Sequence, residues 1–160
     1  MKQNTEVIIG QLLRARGLKL ATAESCTGGL IADRITDVPG SSEYFLGGFV
    51  SYAYEAKVAC LGVSWDTLQK HGAVSRETVL EMARGARKAL GADIAISVSG
   101  IAGPGGGLPE KPVGTTWIGL VTPESESAEV FYWKGDRRKN KEESAQQALK
   151  MVIEYLEAAR

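Results

Sequence analysis

Cysteine is scarce in this chain of 160 residues, Cys26 and Cys60 being the only two. Two thiols build no disulfide framework, which excludes a small secreted domain stapled by bridges. Charge of one sign is not in excess either, because 19 Lys and Arg balance 19 Asp and Glu. No global basic field draws in nucleic acid or an acidic membrane, so any anionic ligand must be met by a local group of cations. Long hydrophobic runs are missing and no membrane span is expected. Met1 to Arg14 also lacks the continuous apolar core of a signal peptide. Together these absences point to the cytoplasm. Internal repeats, heptads and low-complexity segments are lacking as well. What is present is 44% hydrophobic and 24% charged residues, enough for a single globular domain over residues 1–160 whose core folds unaided.

Hydrophobic spacing divides the chain into alternating helices and strands. Thr5 to Arg16 places Val7, Ile8, Leu12 and Leu13 on one face and stops at Gly17, as an amphipathic helix does. Leu18 to Thr22 reads as a first strand and Gly29 to Ile35 as the helix after it, followed by a turn-rich loop from Asp37 to Ser42. Phe45 to Tyr54 favours β structure but is loosened by Gly47 and Gly48, which admit either a close-lying ligand or a β-bulge. Two short helices, Glu55–Leu61 and Ser64–Gln69, end at Gly62 and Gly72, and a longer one runs from Ser75 to about Leu90. Asp93 to Ser99 is a buried strand by its β-branched content. Val113–Val121 and Glu129–Trp133 read as an antiparallel hairpin joined by Thr122–Ala128, and Asp136–Ala159 as a closing helix. The pattern predicts a three-layer α/β/α sandwich with a mixed, mostly parallel sheet of about five strands.

In such sheets ligands sit beyond the carboxyl ends of the strands. Three features fall there. Ala23-Glu24-Ser25-Cys26-Thr27-Gly28-Gly29 joins a strand end to a helix start, where unpartnered N–H groups stabilise an anion. Ser25 is a nucleophile there or, with Thr27, simply a cap. Tyr52 lies near the end of another strand. The third feature is the loop Gly100 to Pro112, too rich in glycine and proline for helix or interior strand. It is no Walker loop, because Gly105-Gly106 leads into Gly107-Leu108 and prolines instead of Gly-Lys-Ser/Thr. A dinucleotide fingerprint fails too, since counting from Gly103 its third glycine falls at Leu108. What remains is an anion nest, a cover over a substrate, or an ordinary surface loop.

Ala23 to Gly29, Gly47-Gly48-Phe49-Val50-Ser51-Tyr52 with Glu55-Ala56-Lys57, His71 to Ser75, Ser99-Gly100-Ile101-Ala102-Gly103-Pro104 and Lys111-Pro112-Val113-Gly114-Thr115 occur in the order found in one family. Over nearly its whole length the chain resembles the CinA C-terminal domain family. Members of that family hydrolyse the carboxamide of nicotinamide mononucleotide to nicotinate mononucleotide and ammonia in pyridine nucleotide recycling. The resemblance implies Ser25 as nucleophile, Tyr52 and Lys57 as its proton-handling partners, and neither metal nor cofactor.

A serine hydroxyl needs a base. A lysine serves when burial favours its neutral amine, although Lys57 on a helix start reads, by itself, as a solvated surface residue. Tyr52 would relay a proton between Ser25 and Lys57 or donate to the leaving ammonia. The backbone of Cys26, Thr27 and Gly28 is the expected oxyanion site, with Gly47 and Gly48 as further donors. Ser99, Gly100, Gly103 and Thr115 are expected to line the substrate. The family's Gly-Asp-Arg motif stands here as Gly135-Asp136-Arg137, one turn before Lys141. Arg137 and Lys141 are the expected phosphate contacts, with lysine where arginine is usual.

Two rival readings stand beside the amidase. One is a cysteine hydrolase using Cys26 with the single histidine, His71. The other is a non-catalytic nucleotide-binding or interaction module of the same domain type. The expected partner is a small nucleotide, with no nucleic acid and no membrane. Trp65 and Trp133 are available to an interface or to the core, and a homo-oligomer is expected.

Overall fold

The computed structural model describes residues 3–158. Helix α1 (Thr5–Arg16) leads into strand β1 (Leu20–Glu24), helix α2 (Leu30–Thr36), a 3-10 turn at Ser41–Glu43 and strand β2 (Phe45–Val50). Helices α3 (Tyr54–Leu61), α4 (Trp65–His71) and α5 (Arg76–Leu90) follow, then strands β3 (Ile94–Gly100), β4 (Thr115–Val121) and β5 (Glu126–Tyr132) and helix α6 (Arg137–Ala158). The five strands form one sheet in the order β2-β1-β3-β4-β5. The first three run parallel, β4 returns antiparallel to β3, and β5 runs antiparallel to β4. The expected α/β/α sandwich with a five-stranded mixed sheet is therefore the fold.

Side-chain alternation along the strands builds both cores. On one face Leu20, Ile94, Ile96, Val98 and Ile118 meet Ile9 and Leu13 of α1, Ile31 and Ile35 of α2, and Leu149 and Val152 of α6. On the other, Ala21, Ala23 and Ala95 meet Val79, Met82, Ala83 and Ala86 of α5 and Leu61 and Leu68 of α3 and α4. Alanines on this second face let the backbone of α5 lie close, and every residue of β1 is buried. Local chemistry sets the ends of the helices. Ser64 and Ser75 accept from the backbone N–H groups of Thr67 and Thr78 at the starts of α4 and α5. Gly17 and Gly91 close α1 and α5 with φ of 64° and 65°.

Several boundaries differ from the sequence pattern. β1 begins and ends two residues later than expected, which carries the strand to Glu24, immediately before Ser25. β2 stops at Val50, because after a last bond from Ser51 N–H to Glu24 O the chain turns away to reach α3. The hairpin is tighter than expected. Thr122 N–H donates to Ser125 O and the Thr122 hydroxyl accepts from the Ser125 N–H, so β5 starts at Glu126. Ala159, the expected end of the closing helix, lies outside the described residues. No helix among the described residues is long and apolar enough to cross a membrane.

Candidate active site

Ser25 is held at the end of β1 by hydrogen bonds to both neighbouring strands. Its N–H donates to Val98 O on β3 at 3.0 Å, and Ser51 N–H donates to Glu24 O at 2.8 Å. The chain then makes two turns, closed by Gly28 N–H to Ser25 O and Leu30 N–H to Thr27 O. Gly28 and Gly29, with φ of 61° and 103°, occupy conformations that a side chain would strain. Helix α2 consequently begins at Leu30, later than the expected junction, and its first donors are already taken. Glu24, 1% exposed, turns its carboxylate back to accept from Ile31 N–H at 2.9 Å and Ala32 N–H at 3.1 Å. Among the described residues the N–H groups of Thr27 and Gly29 have no hydrogen-bond partner, and that of Cys26 meets only its own thiol. The free donors beside Ser25 thus belong to the turn and not to the helix.

Lys57 completes the pair. It stands on the first turn of α3 with its side chain fully buried, at 0% exposed, so the solvated reading of this lysine is overturned. Its Nζ lies 3.0 Å from Ser25 Oγ, 2.6 Å from Ser51 O and 3.1 Å from Tyr52 O. Burial lowers the Lys57 pKa to about 8. The three partners give a specific proton inventory. A neutral amine has two N–H groups, which the two carbonyls accept, and one lone pair, which then points at the serine hydroxyl. The protonated amine donates to all three.

The other candidates are placed as follows. Tyr52 is 60% exposed and contributes its carbonyl to Lys57, while its hydroxyl accepts from Arg137 Nη2 at 3.1 Å. A tyrosine relay between Ser25 and Lys57 is corrected accordingly, because the two touch directly and the phenol is elsewhere. Gly47 and Gly48 pair with Ala21 and Thr22 in the β1–β2 ladder, where Leu46 is the extra residue of a bulge. A Cβ on Gly48 would stand 2.0 Å from Thr22 Oγ1. These glycines serve strand packing upstream of Ser25 and are not oxyanion donors. Ser99, one step past the Glu24–Val98 pair, runs alongside Ser25. Gly100 lets Thr116 approach, since a Cβ there would lie 2.5 Å from Thr116 Oγ1. Thr115 ties down the far end of the glycine loop, its hydroxyl donating to Pro112 O and its carbonyl accepting from Ile101 N–H.

Cys26 and His71 do not come together. Cys26 packs into the core on the α6 side, where burial pushes its thiol up to about 12 against the pull of the N–H groups of Cys26 and Gly100. Such a thiol is neutral and a poor nucleophile. His71 is exposed at the end of α4, with Nδ1 3.6 Å from Glu77 Oε2.

The rim above the pair is cationic. Arg137 donates through Nη1 to Gly103 O at 2.8 Å and through Nη2 to Tyr52, spanning the glycine loop and the segment after β2. Lys141 Nζ stands 3.7 Å from where a Cβ on Gly28 would lie. Within the same two turns, Arg138 pairs with Glu142 and Lys139 with Glu143. Arg137 and Lys141, one turn apart, have no carboxylate partner among the described residues. Cations at the positive end of a helix of 22 residues oppose its dipole, so helix stability does not account for them.

Sequence reasoning missed Glu24 and Ser51. Glu24 was visible as a charge next to Ser25. For Ser51, which acts through its backbone, the sequence holds no sign.

Comparison with known proteins places the fold in a family. The CinA C-terminal domain family matches residues 2–156. A "CinA-like protein" of Chloroherpeton thalassium is 54% identical over 156 residues, covering 94% of this chain and 37% of that protein. A "putative competence-damage inducible protein" of Symbiobacterium thermophilum is 53% identical over 157 residues, again covering 37% of its length. The chain thus spans little over a third of these curated relatives. Solved structures match end to end. The competence damage-inducible protein A of Klebsiella pneumoniae superimposes with a TM-score of 0.93 at 35% identity, covering 99% of this chain and 100% of that one. A competence/damage inducible protein of Agrobacterium tumefaciens does so at 0.89 and 39%, with 96% of both chains covered. The chain belongs to the CinA C-terminal domain family.

Proposed function

We propose that the chain hydrolyses the carboxamide of nicotinamide mononucleotide, giving nicotinate mononucleotide and ammonia, with Ser25 as nucleophile and Lys57 as general base. The observation that carries the reading is the direct approach of the buried Lys57 amine to Ser25 Oγ at 3.0 Å. With its two N–H groups held by Ser51 O and Tyr52 O, neutral Lys57 takes the serine proton as Oγ attacks the amide carbon. The N–H groups of Cys26 and Thr27 receive the developing oxyanion. Lys57 then returns the proton to the amide nitrogen, the C–N bond breaks and ammonia leaves. Water attacks the acyl-serine in the second half, again losing a proton to Lys57, and the carboxylate product departs as Oγ regains its hydrogen. Arg137 and Lys141 supply the local positive charge that a nucleotide phosphate requires, in a chain with no net charge to offer it.

Ammonia release from nicotinamide mononucleotide tests the reading. It falls by at least about a thousandfold in Ser25→Ala and survives in Cys26→Ala. Loss in Cys26→Ala with retention in Ser25→Ala would transfer the chemistry to the thiol. Absence of ammonia from the native chain would leave a nucleotide receptor.

A further inference from the structure

We infer that Asn140 is a positioning residue that sets the glycine loop, and through it Arg137, against the serine turn. Asn140 is 2% exposed, on the first turn of α6. Its Nδ2 donates to Ala102 O at 3.0 Å and its Oδ1 accepts from Gly135 N–H at 3.0 Å. Only one orientation of the amide satisfies both partners. Between Ala102 and Gly107 the loop makes two hydrogen bonds among the described residues, Asn140 to Ala102 O and Arg137 to Gly103 O. Both come from α6, on neighbouring carbonyls. The loop's other hydrogen bonds lie outside that stretch: Ile101 N–H donates to Thr115 O and Gly114 N–H to Ile101 O, Leu108 and Lys111 pair with each other, and Lys111 Nζ donates to His71 O.

The same side chain fixes the other side of the gap. Gly135 belongs to the turn that starts α6, and Arg137 follows two residues later. One buried amide therefore sets both the carbonyl that Arg137 grips and the turn from which Arg137 projects. Beneath it, Ser144 Oγ donates to Asn140 O at 2.7 Å and accepts from Trp133 Nε1 at 2.9 Å, so the amide stands on a rigid base. Aspartate, though isosteric, cannot replace it. Its second oxygen would face Ala102 O with no hydrogen between them, and a buried charge would be left unpaired. Asn140 touches neither Ser25 nor Lys57, so the chemical pair is untouched by its loss.

The kinetic part of this inference rests on the amidase reading. Asn140→Asp is expected to raise KM for nicotinamide mononucleotide at least tenfold while kcat stays within about threefold, because nucleotide capture is disturbed and proton transfer is not. Amide hydrogen exchange supplies a readout that needs no turnover. Ile101 and Gly114 should exchange at least tenfold faster, with the amides of β1 and β3 unchanged. Should Asn140→Asp fail to fold, Asn140→Ser removes the same two bonds without adding charge and is expected to show the same split. Unchanged exchange at Ile101 and Gly114, or a fall in kcat matching any rise in KM, would overturn the inference. If the native chain releases no ammonia yet exchange rises as described, the amidase reading fails and the positioning role stands.

Discussion

The serine turn and the first turn of α6 border the same opening, yet one is dry and the other wet. Around Ser25 the side chains of Glu24, Cys26, Thr27 and Lys57 are buried, and Lys57 has no solvent contact at all. On the other side Arg137 is exposed and held by two hydrogen bonds, and Lys141 is half-buried with no hydrogen-bond partner among the described residues. On the amidase reading proposed above, the difference follows from what each half would have to do. A lysine becomes a base near neutral pH only when removal of water destabilises its ammonium. A phosphate is met by cations that keep their charge, and guanidinium and ammonium keep it most cheaply in water. On that reading, burial at the first place and access to water at the second are separate solutions to proton transfer and to recognition.

Substitutions should separate the halves in graded fashion. Lys57→Met is expected to lower kcat by about 10²–10⁴-fold, the usual contribution of a general base, with the nucleotide still bound. Arg137→Ala should instead act on KM, raising it roughly 10–100-fold, as loss of a charge-assisted hydrogen bond to phosphate would. Steady-state kinetics reads both, and a KM effect from Lys57→Met with a kcat effect from Arg137→Ala would dissolve the distinction. Lys141→Ala should do the same as Arg137→Ala but less, about two- to fivefold in KM, because a lone partly hydrated ammonium offers a point charge.

Stability carries a smaller mark of the dry half. The pKa of Lys57 is about 8 in the folded chain and 10.5 in its ordinary state. Below about pH 8 both states are protonated and the cost of the buried ammonium is fully present. As pH rises from about 8 to 10.5 the folded form has released its proton while the unfolded form still binds one, so stability increases with pH. Denaturant titrations should show the native chain gaining on Lys57→Met across that window, by up to roughly 3 kcal/mol. A constant difference would mean that Lys57 is not desolvated.

How far this division was legible in the sequence depends on the range of each interaction. The serine turn was legible because its parts are local, with Ser25, Gly28 and Gly29 within one turn of chain. The sandwich was legible because apolar spacing reports which face of an element is covered. The burial of Lys57 was not, although the family resemblance singles the residue out. A lysine four residues into a short helix carries no sign of what its side chain meets, and only the approach of α3 to the segments that follow β1 and β2 decides its burial. Tyr52 misled for the opposite reason. Its backbone, which no side-chain pattern describes, holds Lys57, while its phenol leaves for Arg137 85 positions away. Gly47 and Gly48 suggested a ligand because a bulge and a binding loop share the same residues.

The dependence of kcat/KM on pH reports the free enzyme's essential base and tests the pairing of Ser25 with Lys57 most directly. The account predicts a rise from pH 6 to a plateau with a midpoint at about 8, present in the native chain and in Arg137→Ala and absent from the residual activity of Lys57→Met. A profile that is flat between pH 6 and 9, or a midpoint that survives unchanged in Lys57→Met, would contradict it.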